Sequence, residues 1–116
     1  MLKDIFELQD TLNKRFEASQ KDITSLGVQG QMEWTDKFMK VLIGECFEVQ
    51  KACGSRWWKR DKDVLGVEHV KEELVDCLHF LVSGMLAMGM TATEAHEIYL
   101  SKNKNNHTRK DWKINE

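Results

Sequence analysis

Two pairs of acids, Glu45 with Glu48 and Glu73 with Asp76, are each spaced i, i+3, which on a helix sets both members of a pair on one side. At about 100° per residue, Trp34, Phe38, Met39, Val41, Leu42, Cys46, Val49 and Ala52 form an apolar arc. Glu45 falls inside that arc and Glu48 at its edge, while Lys37, Lys40 and Lys51 lie on the other side. Further along, Val67, Val70, Leu74, Leu78 and Leu81 are the expected core stripe of a second helix. Glu73 and Asp76 flank that stripe, on a face shared with Cys77 and Phe80, and Glu68 and Glu72 lie further round, towards solvent. Ionised carboxylates among apolar neighbours are costly unless a cation compensates them. Neither helix offers a basic residue on the expected acidic face, and facing carboxylates repel. A divalent ion removes the conflict, and all-oxygen ligation suits Mg²⁺ or Mn²⁺. The spacing thus points to a divalent-metal site; solvated or paired acids are the other reading of the same residues.

Two further metal chemistries fit less well. Asp76-x-x-His79 resembles half of a di-iron motif, but that pattern needs Glu-x-x-His on two helices, and His69 with Glu72 runs in the reverse order on the same helix. Cys46, Cys53, Cys77 and His79 could in principle hold zinc, yet no tight Cys-x-x-Cys spacing supports it.

The elements that would carry these residues are helices. The chain has no proline, so none is forced to end by one. Leu2, Ile5, Phe6, Leu8, Leu12 and Phe16 recur at helical spacing, which predicts a helix over 2–18. A joint over 25–30, containing Gly27 and Gly30, leads to a helix over 31–53 with Gly54 as its C-cap. A loop over 54–66 carries Arg56-Trp57-Trp58-Lys59-Arg60. Next come a helix over 67–88 ending at Gly89 and, after a Thr91/Glu94 capping box, one reaching about Lys104. The expectation is all-α: four helices, in a four-to-five-helix bundle completed by oligomerisation.

With 116 residues, 41% of them apolar, the chain fits one domain over 1–116 with a small core that further copies would help to bury. The net charge of −2 argues against a dedicated nucleic-acid binder, although five Lys or Arg residues against one acid crowd 102–113. No apolar run approaches the roughly 18 residues of a membrane span. Cys46, Cys53 and Cys77 lie among apolar residues, as buried thiols do. The expectation is a soluble, cytoplasmic protein with no nucleic-acid or membrane partner.

Glu45-x-x-Glu48 followed by Glu73-x-x-Asp76 resembles the signature of the MazG-like all-α nucleoside triphosphate pyrophosphatases, and within them the dimeric dUTPases. Ile5-Phe-Glu-Leu-Gln-Asp-Thr-Leu-Asn13 is similar to their first helix, and Glu33-Trp34 leads into the first acidic motif in the same way. Trp57-Trp58-Lys59 sits where the family has an aromatic-basic loop, and Asp76-Cys77-Leu78-His79-Phe80 extends the second acidic motif. The stretch from Tyr99 to Arg109 resembles the family's phosphate-gripping segment.

The resemblance implies Mg²⁺-dependent hydrolysis of dUTP to dUMP and pyrophosphate, by a homodimer or higher homo-oligomer. Glu45, Glu48, Glu73 and Asp76 would hold the metal. One of the first pair would act as general base, and Glu48 is favoured. Lys102, Asn106 and Arg109, with Lys59, would bind phosphates; a solvated helix end, where cations suit the dipole, is the other reading of 102–109. Gln9 and Asn13, four residues apart on one helix face, would offer donors and acceptors to the base, with Trp34, Trp58 and His79 around it. Read by spacing alone, the two amides are plain surface polarity, Trp34 is core, and His79 is a hydrogen-bonded histidine at the core edge. A dCTP-directed or broad-specificity pyrophosphatase is the enzymatic alternative. A helical dimer that binds nucleotide or metal without turnover is the other.

Overall fold

The structure, a computed structural model, describes residues 1–54, 57–58 and 66–109. Five helices follow in order: α1 (Leu2–Lys14), α2 (Gln20–Thr24), α3 (Gly27–Ala52), α4 (Val67–Ala87) and α5 (Ala92–Thr108). No strand occurs among the described residues, and the fold is all-α.

The long pair α3 and α4 forms the body of the molecule. The pair is antiparallel, because Gln31 meets Ala87 at one end while Glu45 meets Asp76 and Glu73 further along. Buried Gly84 marks the close approach between them: a Cβ there would lie 2.8 Å from Met39 Cε. α1 lies against α4, α2 against α3 and α4, and α5 against α1, with the chain turning by 103° between α4 and α5. Two small apolar clusters hold these contacts. Phe6 packs with Val82, Leu86 and Ala95, and Ile23 with Ala18 and Ala87. Burying a side chain the size of Phe6 or Ile23 contributes about 1.5–3 kcal/mol, so each cluster is thin and needs polar support.

That support comes from amide side chains at the end of α4. The last carbonyls of a helix lack intrahelical donors. Here Gln20 Nε2 donates to the carbonyls of Leu86 (3.2 Å) and Met90 (2.8 Å), and Gln31 Nε2 to that of Ala87 (3.1 Å). Gly89 (φ 79°) then takes the left-handed turn that ends the helix. Thr91 Oγ1 accepts from the Glu94 N–H to start α5, as the sequence suggests.

Several expectations need correction. α1 stops at Lys14 rather than Ala18, because Glu17 takes a left-handed conformation (φ 58°). The Ala18 N–H reaches back to the Asn13 carbonyl and that of Glu17 to Lys14, a Schellman ending that usually has glycine at this place. The expected joint over 25–30 is mostly helical: α2 precedes it and α3 begins at Gly27. The unforeseen α2 is started by Ser19, whose hydroxyl accepts from the Asp22 N–H while Asp22 accepts from the Ser19 N–H. α5 continues to Thr108, past Lys104.

The expected core stripe of α4 is also wrong. Val67, Leu74, Leu78 and Leu81 are exposed, and the residues α4 buries are Val82, Ser83, Gly84, Leu86 and Ala87, in its last turns. Helical spacing identifies an apolar face but not what covers it, and within this chain α1 and α5 leave that stripe open. Cys46 and Cys53 are exposed and Cys77 is half-buried, so the thiols are not core residues as expected.

Candidate active site

Glu73 and Asp76 sit one turn apart on α4 and face Glu45 across the α3–α4 seam. The three carboxylates each bring an oxygen within 4.8 Å of the others, the one such group of acids, cysteines or histidines among the described residues. The Cys46/Cys53/Cys77/His79 alternative therefore does not assemble. Glu45 is half-buried, and its carboxyl is held above the ordinary range chiefly by loss of water, then by the charges of Asp76, Glu73 and Glu48. Close oxygens and mutual repulsion suit a hard divalent cation.

Glu48, placed with the metal ligands by sequence, stands outside the three-oxygen group, although its charge still reaches Glu45. It pairs with Lys51 at 3.6 Å. His69 likewise approaches Glu73, at 3.2 Å. The expectation that no basic group shares the acidic face is thus corrected on both helices. Lys51, three residues from Glu48, and His69, four from Glu73, are within reach along their own helices.

Beside the carboxylates opens a cavity of about 470 Å³, lined by Glu45 and Asp76, by Gln9, Asn13 and His79, and by the rings of Phe16, Trp34, Phe38 and Phe80, among others. One hollow thus joins acids, amides and aromatic faces. Gln9 and Asn13 are each only 7% exposed, which rules out the surface-polarity reading. They bond to each other (Gln9 Nε2 to Asn13 Oδ1, 2.9 Å), Gln9 Oε1 meets His79 Nδ1, and Asn13 Nδ2 donates to Ser83 Oγ at 3.1 Å. Trp34 lies between cavity and core. It lines the cavity, packs on the Ile23 cluster, and stacks at a tilt with Phe38 (centroids 5.6 Å apart) under the Lys37 ammonium.

A model of one protein family, described as dUTPase, matches residues 1–97, the span that contains every one of these groups. The chain belongs to that family. The dCTP pyrophosphatase of Enterobacteria phage T4 is 33% identical over 91 residues, which are 66% of this chain and 53% of the phage protein. The chain thus spans about half the length of that curated relative. No solved structure matches. The family's all-α architecture agrees with the five helices.

Other sequence-selected residues are placed apart. Lys102, Asn106 and Arg109 lie beyond the dUTPase match, exposed on α5 or at its end, and do not line the cavity. Trp58 is exposed and packs edge-on to Trp57 (5.8 Å), away from the cavity lining. Lys59 lies outside the described residues. Conversely, sequence reading overlooked Phe16 and Phe80 as cavity walls, and Ser83 as a partner of Asn13. Ser83 is four residues from His79, so a shared face was readable.

The raised carboxyl of Glu45 has a thermal signature in metal-free protein. Its charged form is less favourable folded than unfolded. The cost is therefore absent below its ordinary value of 4.5, grows as pH rises through the window up to the raised folded value, and is complete above it. Glu45→Gln in EDTA is thus expected to raise Tm at pH 7, with the gain vanishing as pH approaches 4. Calorimetry on both proteins across that range checks it; an equal Tm at pH 7 contradicts the electrostatic account.

Proposed function

We propose that the chain hydrolyses a pyrimidine deoxynucleoside triphosphate, dUTP first, releasing dUMP and pyrophosphate with Mg²⁺, or Mn²⁺ in its place. The observation that carries this reading is the single cavity in which aromatic faces and buried amides stand next to a three-carboxylate cluster. A nucleotide has the same two ends: a flat base with hydrogen-bonding edges and a polyanion that needs a cation. Glu45, Glu73 and Asp76 fit the metal; when bound, it neutralises phosphate oxygens and acidifies a water. Glu48, outside the ligand group yet beside Glu45, is the carboxylate left to take that water's proton. Trp34 and Phe38 stack on the base, and Gln9, Asn13 and His79 meet its polar edge.

Incubation with each dNTP and Mg²⁺, scored by pyrophosphate release, tests the whole reading. Turnover of none would leave only nucleotide or metal binding. A dCTP preference is the second reading, favoured by the relative named a dCTP pyrophosphatase, since side-chain amides can turn to suit either pyrimidine.

We also infer that the working form is a homodimer or larger. Leu8, Phe16, Leu74 and Tyr99 are more than half exposed, and the radius of gyration of 17.2 Å exceeds the roughly 13 Å of a compact chain this long. A second copy also accounts for Lys102, Asn106 and Arg109, which then meet the phosphates of a neighbour's site. Lys102→Ala and Arg109→Ala are expected to raise KM and lower kcat together, because cations on the phosphates stabilise the transition state as well as the bound substrate. Steady-state kinetics decide: an unchanged kcat/KM in both removes 102–109 from the site.

A further inference from the structure

Gln9, Asn13, His79 and Ser83 form a closed ring of hydrogen bonds between α1 and α4, and the ring has a direction. Ser83 Oγ gives its single proton to the His79 carbonyl (2.7 Å), so towards Asn13 it can only accept. Asn13 must therefore turn Nδ2 to Ser83, at 3.1 Å, which leaves Oδ1 to accept from Gln9 Nε2 at 2.9 Å. Gln9 then has Oε1 for His79, and the His79 Nδ1 that meets it must carry the proton. Each link dictates the next.

The same side chains could run the opposite way. Ser83 would donate to Asn13 Oδ1, Asn13 Nδ2 to Gln9 Oε1, and Gln9 Nε2 to an unprotonated His79 Nδ1. What the reversal loses is the Ser83 bond to the His79 carbonyl. It exchanges donor for acceptor on both amides that line the cavity. Uracil and cytosine differ by the same exchange at adjacent ring positions: N3–H with O4 in one, bare N3 with N4–H₂ in the other.

We propose that Ser83 is a positioning residue that sets the pyrimidine preference by holding this ring in one direction. It is 1% exposed and does not line the cavity, so it acts on the base only through Asn13, Gln9 and His79. The proposal rests on the base-site reading of the cavity. It adds that selectivity originates one residue behind the groups that touch the base.

Ser83→Ala removes the bias on direction while keeping the helix. The ratio of kcat/KM for the preferred pyrimidine nucleotide over the other, dUTP against dCTP, is expected to fall towards unity by roughly threefold to tenfold, the worth of one neutral hydrogen bond. A general loss of stability would lower both rates and leave the ratio alone. Independently of any variant, ¹⁵N NMR of wild-type His79 without nucleotide is expected to show the Nδ1–H form. A ratio that shifts by less than threefold in a folded Ser83→Ala protein, or an Nε2–H tautomer in the wild type, overturns the proposal. Should Ser83→Ala fail to fold, the tautomer decides. A wild-type protein that turns over neither nucleotide removes the base site, and this proposal with it. That failure is distinct from a selective enzyme indifferent to Ser83.

Discussion

Glu45→Gln and Asp76→Asn are each expected to lower kcat by about a hundredfold or more at saturating Mg²⁺, the cost of losing roughly 3 kcal/mol of transition-state stabilisation. Both changes are nearly isosteric and exchange an anionic oxygen for an amide within the three-carboxylate group. On the proposed reading, the site would lose one of the three charges that would hold the cation. The fold should survive, since no other residue depends on either acid for an ion pair among the described residues. Indeed the metal-free protein gains from the loss of Glu45's charge, as its raised carboxyl requires. In Glu45→Gln, activity and stability thus move in opposite directions, a pairing that a misfolded variant cannot imitate. Rates and Tm measured on the same samples check it, and near-normal turnover by both variants would remove the carboxylates from the chemistry.

The second large effect is on base choice. Gln9→Ala and Asn13→Ala are expected to cut discrimination among dUTP, dCTP, dTTP and the purine nucleotides by roughly 10- to 100-fold, the penalty of a buried polar group left without its partner. Both amides are buried and held in one orientation by neighbours before any ligand arrives, so they turn to suit a base with the other edge only at the cost of those bonds. Lys40→Ala, on the exposed side of α3 where Lys40 pairs with Asp36, should leave the preference intact. Competition between nucleotides in one reaction measures the ratios directly. Equal turnover of dCTP and dUTP by the wild-type chain sinks the dUTP assignment and leaves pyrimidine nucleotide hydrolysis standing.

How far the sequence reveals this molecule depends on which signal each feature left. α3 and α4 are legible because a long period-3.6 pattern and the glycines at 54 and 89 mark both extent and end. The end of α1 is not, because Glu17 occupies a position where glycine would have announced the turn. α2 was readable from Ser19-x-x-Asp22, a capping box on a helix of only five residues, too short to show any period. In the site, the spacing of Glu45, Glu73 and Asp76 predicts their meeting, since each pair of turns presents one face. It could not predict that Glu48 turns to Lys51, because i, i+3 reach allows both partners and side-chain geometry chooses. Nor does spacing reveal that Gln9 and Asn13 are buried. That follows from α1 lying on α4, a tertiary fact with no local trace.

The long-range polar ties also order the life of the chain in time. Asn13 bonds Ser83, Gln9 meets His79, and Gln20 reaches Met90, each across 70 residues. α3 and α4, by contrast, follow one another and can pair as a hairpin as soon as both have been made. Distant pairings bear the larger loop-closure cost and form later. The carboxylate seam is therefore expected to assemble first, as a hairpin of neighbouring helices, and the amide slot after it, when α1 closes the longer loop onto α4. Hydrogen exchange should show the same order in reverse, with α1 opening while the α3–α4 hairpin still protects its amides.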